Sequence, residues 1–157
     1  MMQITLTHGL SIYTPNAFAL FGAVLCIYFD EKKEIYKHRD VALVLLNGSK
    51  DKRLVSMVYL AINSFINHWL GHINLTIRPL EVAYKMGRES GINNTAFNAA
   101  IGYGYNSFLV GYDLIQLSED MKKFRDKLPA KYIGFKSLYA TVEIFLGIQR
   151  KDAIFDS

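Results

Sequence analysis

Cysteine occurs once in this chain of 157 residues, tryptophan once and proline three times. Each scarcity excludes something. A lone cysteine forms no internal disulfide, and Cys26, inside Ala23-Val24-Leu25-Cys26-Ile27, reads as a buried, unreactive thiol. The longest apolar run, Ala17 to Phe29, covers 13 residues, short of the roughly 20 that a bilayer-spanning helix needs. Met1 to Leu10 has neither the basic nor the apolar segment of a secretory signal, so the cytoplasm is the expected compartment. Alternating β patterns, low-complexity tracts and long linkers are also missing.

What is present is a core. The composition is 51% hydrophobic, 13% aromatic and only 20% charged, which is that of one globular domain spanning 1–157. The net charge of +4 is modest. Its basic residues fall in small groups (Lys32, Lys33, Lys37 and Arg39; Lys122, Lys123, Arg125 and Lys127) interleaved with acids. These read as solvated helix faces, and no groove-reading motif accompanies them, so nucleic acid is not an expected partner.

The strongest pattern is a recurrence near forty residues. Asp40-Val41-Ala42-Leu43 returns as Glu81-Val82-Ala83-Tyr84, and more loosely as Glu119-Asp120-Met121-Lys122. Ala42 and Ala83 are 41 positions apart, and Ala83 and Asp120 are 37 apart. Such a period is that of stacked helical hairpins, each burying its apolar face on the next. The expected fold is therefore all-α. It is a short right-handed solenoid of tetratricopeptide-like antiparallel hairpins with about seven helices, although the strict 34-residue consensus is not met.

Local signals place the elements. Thr14-Pro15 predicts a helix start, giving helices over about 15–29 and 31–46, with Asn47-Gly48 as the stop. A second pair follows over about 51–70 and 75–90, ended by Gly91; Pro79 either begins the latter helix or kinks it. Asn93-Asn94-Thr95 caps a third pair, over about 95–110 and 113–128, and a terminal helix is expected over about 131–147. The hairpins thus cover about 15–47, 52–91 and 94–128. Within them Gly22 is expected to face Ala42, Ala61 to face Ala83, and Ala99 to face Asp120.

Candidate chemistry is sparse. His68 and His72, at i and i+4, have metal-ligand spacing but lack a nearby acidic third ligand, and Gly71 between them suits a helix end better. His38 is expected on the charged, solvated face, and His8 at a turn. Gly102-Tyr103-Gly104 lacks the strand, third glycine and Lys-Ser/Thr of a phosphate loop, and suits close helix contact. No catalytic residue, cofactor site or metal site emerges. The candidate partner-binding set is the aromatic group Phe97, Tyr103, Tyr105 and Phe108, read as part of a concave face, with core packing as the competing reading.

Several phrases together resemble a known family. Thr7-His8-Gly9-Leu10-Ser11-Ile12-Tyr13-Thr14-Pro15-Asn16-Ala17-Phe18 is similar to an H-G-x-S-x-Y-x-P-x-A-F opening found in very large hybrid signalling proteins. Phe65-Ile66-Asn67-His68-Trp69, Pro79-Leu80-Glu81-Val82-Ala83-Tyr84-Lys85-Met86-Gly87 and Phe108-Leu109-Val110-Gly111-Tyr112-Asp113-Leu114 follow in the same order. Those proteins join a serine/threonine-kinase-like domain, an AAA-type predicted ATPase, a tetratricopeptide-like helical region, often a GAF domain, and a histidine kinase. The resemblance covers the helical region alone. This chain has no Walker A loop, kinase lysine or phosphoacceptor-histidine motif, so the family's activities carry over to no residue. It implies a non-catalytic scaffold or signal-relay connector whose partners are proteins or neighbouring domains. The alternative is a free-standing adaptor that binds a peptide or protein on its concave face.

Overall fold

The computed structural model describes residues 9–29 and 31–126, together with Ala140, Val142, Glu143, Leu146 and Gly147. Every regular element among these is helical. They are α1 (Thr14–Tyr28), α2 (Lys32–Leu46), α3 (Lys52–Phe65), α4 (Asn67–Leu70), a 3-10 turn (Ile73–Thr76), α5 (Ile77–Glu89), α6 (Asn93–Leu109) and α7 (Leu114–Asp126). The five positions beyond 139 are helical as well. The remainder of the expected terminal helix, and Pro129, lie outside the described residues.

The helix ends have local causes. Gly48, Gly91 and Gly111 adopt φ of 79°, 79° and 75° and close α2, α5 and α6, a conformation that costs glycine nothing. After α5 the N–H of Ile92 donates to the Gly87 carbonyl at 3.0 Å, satisfying an otherwise unpaired acceptor. At the start of α3 the Asp51 carboxylate accepts the Arg53 N–H at 2.9 Å, and that bond holds its carboxyl below the usual range. Pro79 sits third in α5, within the first turn, where its missing N–H breaks no helix bond. Helix α5 is therefore entered near the proline.

Three local expectations need correction. The segment 51–70 is two helices: Ile66 (φ −118°, ψ −57°) separates α3 from α4 and is fully buried. Thr14 is the first residue of α1, and its hydroxyl accepts the Ser11 N–H at 2.9 Å, so it reaches back into the preceding turn. Helix α6 starts at Asn93, whose side chain takes an Arg88 hydrogen bond at 2.7 Å and caps nothing.

Packing fixes the helix directions. A Cβ placed on Gly87 would lie 2.8 Å from Ser56 Oγ and 3.1 Å from Ala96 Cβ; one on Gly102 would lie 3.1 Å from Ser64 Oγ and 3.3 Å from Leu80 Cδ1. Advancing from Ser56 to Ser64 thus matches advancing from Ala96 to Gly102, and retreating from Gly87 to Leu80. Helices α3 and α6 run parallel, with α5 antiparallel to both. Likewise Gly22 meets Ile66 at the end of α3 and Ile35 and His38 of α2, while Pro15 shares a cleft with Leu45 and Leu54. Helix α1 is therefore parallel to α3 and antiparallel to α2.

Two apolar clusters result. One joins Ala19, Ala23, Ile35 and Ala42 to Leu54, Val58, Ile62 and Ile66 of α3 and its end. The other joins Leu80, Ala83 and Tyr84 to Phe97, Ala100 and Tyr103, and to Leu117, Met121, Phe124, Val142 and Leu146. Tyr59 of α3 packs against both.

The small-residue pairing inside hairpins is shifted from its expected register. Gly22 opposes His38 and Ile35, one turn short of Ala42. The partner of Ala83 is Ser56, whose hydroxyl donates to the Ala83 carbonyl at 2.7 Å.

Candidate functional site

Helix α6 carries all four candidate aromatics, and its rotation separates them. Phe97 and Tyr103 turn inward with Ala96, Ala99, Ala100 and Ser107 and are buried. Tyr105 is 47% exposed, and Phe108 is half-buried against the core. The four therefore share a helix without sharing a surface. Tyr103 meets Phe124 edge-on at 5.3 Å, and Tyr84 lies 4.4 Å from the same ring, an arrangement aromatic quadrupoles favour.

Tyr103 also accounts for Asp120, the irregular member of the third repeat. Its phenol donates to Asp120 Oδ2 at 2.9 Å. Asp120 Oδ1 accepts Gln116 Nε2 at 3.1 Å and Lys123 Nζ at 3.0 Å. The acid thus occupies the small-residue position because a tyrosine opposite needs an acceptor. Burial first, and then the carboxylate, pushes the Tyr103 phenol well above its ordinary range. Asp120 in turn raises the Lys123 ammonium.

A raised phenol has a predictable consequence. Its contribution is complete below the unfolded-state pKa of about 10 and disappears as pH rises above that value. Tyr103→Phe should cost about 1.5–3 kcal/mol at neutral pH, the net worth of one hydrogen bond to a charged acceptor. In urea titrations the gap between the two proteins should narrow above about pH 10, because the unfolded wild type then ionises Tyr103 while the folded state holds it protonated, which favours unfolding of the wild type alone. A gap constant from pH 7 to 11 would contradict this.

The open surface lies elsewhere. A cleft of about 700 Å³ is lined by Cys26, Ile27, Tyr28, Phe29, Lys32, Ile35 and Trp69. Ile27, Tyr28, Phe29 and Trp69 are 60–73% exposed. Cys26 is half-buried and lines this cleft, in place of the deep burial expected. The sequence did carry a signal for it: Tyr28 and Trp69 are 41 positions apart, like Ala42 and Ala83.

The histidines resolve individually. His38 is buried, not solvated; its Nδ1–H donates to the Glu34 carbonyl at 2.7 Å, and its ring packs on Phe18 and Phe21. Gly22 makes room for it. The His68 ring lies 5.2 Å from that of Trp69, tilted by 43°, and partial burial lowers its pKa. His72 Nδ1 accepts the Asn74 N–H at 3.2 Å and caps the 3-10 turn. Among the described residues no group of three His, Cys, Asp or Glu side chains converges as a metal site, and no helix is long and apolar enough to cross a membrane. The Gly102-Tyr103-Gly104 segment lies inside α6, where Gly102 admits Leu80 and Ser64.

Comparison with known proteins points in one direction. The hybrid signal transduction histidine kinase G of Dictyostelium discoideum is 26% identical to this chain over 143 residues. The aligned part is 90% of this chain and 4% of that protein. No protein-family model matches the chain, and no solved structure matches it. This is a distant similarity to a signal-transduction kinase, in a chain whose regular elements among the described residues are all helical.

Proposed function

We propose that the chain is a non-catalytic helical-repeat scaffold or signal-relay segment, of the kind that connects modules of a large cytoplasmic sensor kinase. The match along 90% of this chain, to 4% of a signalling kinase, is the observation that carries the reading. The alternation of parallel and antiparallel helices supports it, because in a tetratricopeptide-like solenoid each hairpin contacts its neighbours and strain passes along the stack. Helix α3 is the coupling element: it meets α1, α5 and α6, and Tyr59 belongs to both clusters. Neighbouring domains or proteins are the partners. Tyr105 and Phe108 are the members of the aromatic set within reach of one. The open cleft beside Trp69 favours the adaptor alternative to the extent that it captures a peptide.

The test has a coupling arm and a catalytic arm. Gly22→Val crowds Ile66 and His38, at 3.1 and 3.4 Å from the added Cβ, and loosens the first hairpin. Amide exchange in α6 and α7 should then accelerate about tenfold, the equivalent of 1.4 kcal/mol transmitted through α3. Exchange unchanged beyond α3 would reduce the relay to independent hairpins. Incubation with labelled ATP should leave the chain unlabelled; stoichiometric phosphoryl transfer onto it would overturn the non-catalytic reading.

A further inference from the structure

Helix α1 has no charged residue from Thr14 to Tyr28 and is apolar on every side. Helices of that composition are ordinarily covered all round. Here α2 and α3 cover one side, burying Ala19, Gly22 and Ala23, while Tyr13, Leu20, Phe21 and Val24 remain 41–48% exposed.

The protein's own repeat shows what fits that face. The two copies at Ala42 and Ala83 set a shift of 41 positions. Moved by that shift, Tyr13, Leu20 and Phe21 fall on Leu54, Ala61 and Ile62, and Ala17 falls on Val58. All four of those α3 residues are buried, in one cluster with Ala19, Ala23, Ile35 and Ala42 of the first hairpin. The same shift takes Val24 to Phe65 and Tyr28 to Trp69, and both members of each pair are exposed. The open side of α1 thus repeats the covered centre of α3 and the uncovered edge formed by the end of α3 and by α4.

We propose that the exposed face of α1 is a docking surface for an antiparallel helix pair of the α1–α2 kind, held as α1–α2 holds α3. The occupant presents small side chains where Ala19, Gly22 and Ala23 stand, with no charge opposite Leu20. The inference rests on the hairpin-array reading above and adds the partner's chemistry. It continues an interface already formed inside the chain, in the same helix direction and register.

A tandem duplication tests it. Residues 10–50, one 41-residue period, are copied ahead of residue 10 of the full chain. The added hairpin should fold onto the original α1, raising Tm by about 5 °C within a single transition and slowing cleavage inside the insert about tenfold. Leu20→Glu in the original copy should abolish both gains. In the unduplicated chain the same change should move Tm by less than about 2 °C, because Leu20 is 48% exposed there. An insert digested like unfolded chain, with Tm unchanged, would overturn the proposal. So would a self-associated unduplicated chain that Leu20→Glu dissociates, since the occupant would then be a second copy. Phosphoryl transfer from ATP would sink the non-catalytic reading and leave this one standing.

Discussion

Gly87→Val should lower the thermal midpoint by about 10 °C, a loss of about 3 kcal/mol at the upper end of ordinary overpacking. Gly87 stands where α3, α5 and α6 approach together. Its missing Cβ would meet Ser56 Oγ at 2.8 Å, the Ala96 backbone nitrogen at 3.0 Å and Ala96 Cβ at 3.1 Å. The Ser56 hydroxyl can rotate away only by giving up its bond to the Ala83 carbonyl, and a backbone nitrogen within a helix moves only if the helix moves. Any gain in helix propensity is below about 1 kcal/mol and is outweighed. The diagnostic is a double mutant. Ser56→Ala removes one of the three contacts, so it should recover a minority of the loss in Gly87→Ala and very little in Gly87→Val. Full recovery would show that the hydroxyl alone was the obstacle. A thermal midpoint unchanged by Gly87→Val would show that α5 and α6 do not pack this closely.

How much of this was legible in the sequence depended on which physical scale each feature obeys. Helix identity and most helix ends are local: Gly48, Gly91 and Gly111 each mark a stop by their own conformational freedom. Contacts between helices are not local. An axial offset of one turn makes His38, not Ala42, the near neighbour of Gly22, and His38 shares the buried face of Ile35 and Ala42, so it lies in the interior and not in solvent. The aromatic set suffered in the same way. Phe97 and Tyr103, six positions apart, point about 120° from each other, and both are buried only because α5 and α7 pack on α6 together. Asp120 looked irregular because a repeat pattern compares positions down the chain, whereas its reason is a phenol across the hairpin. The break at Ile66 had no sequence signal at all, since neither Gly nor Pro occurs between Leu54 and Leu70.

Leu80→Ala should be the most damaging truncation, at about 2–5 kcal/mol, the range for emptying a buried leucine site. Leu80 is fully buried in the second cluster, and its two methyl groups lie 3.3 and 3.4 Å from the space that a Cβ on Gly102 would fill. The cost belongs near the top of the range, because a glycine on the facing helix has no side chain to relax into the void. That geometry also predicts the repair. In the wild type, Gly102→Ala should be close to neutral, its gain of about 1 kcal/mol in helix propensity offset by crowding of Leu80 and Ser64. In the Leu80→Ala background the crowding by Leu80 is gone, and the new methyl group partly fills the cavity. The same substitution should then recover 1 kcal/mol or more, a coupling that independent sites do not show. Urea titration of the four proteins measures it. Strict additivity would mean that Leu80 and Gly102 do not share one cavity. The facing of α5 against α6, on which the hairpin register and the parallel course of α3 and α6 both rest, would then be wrong.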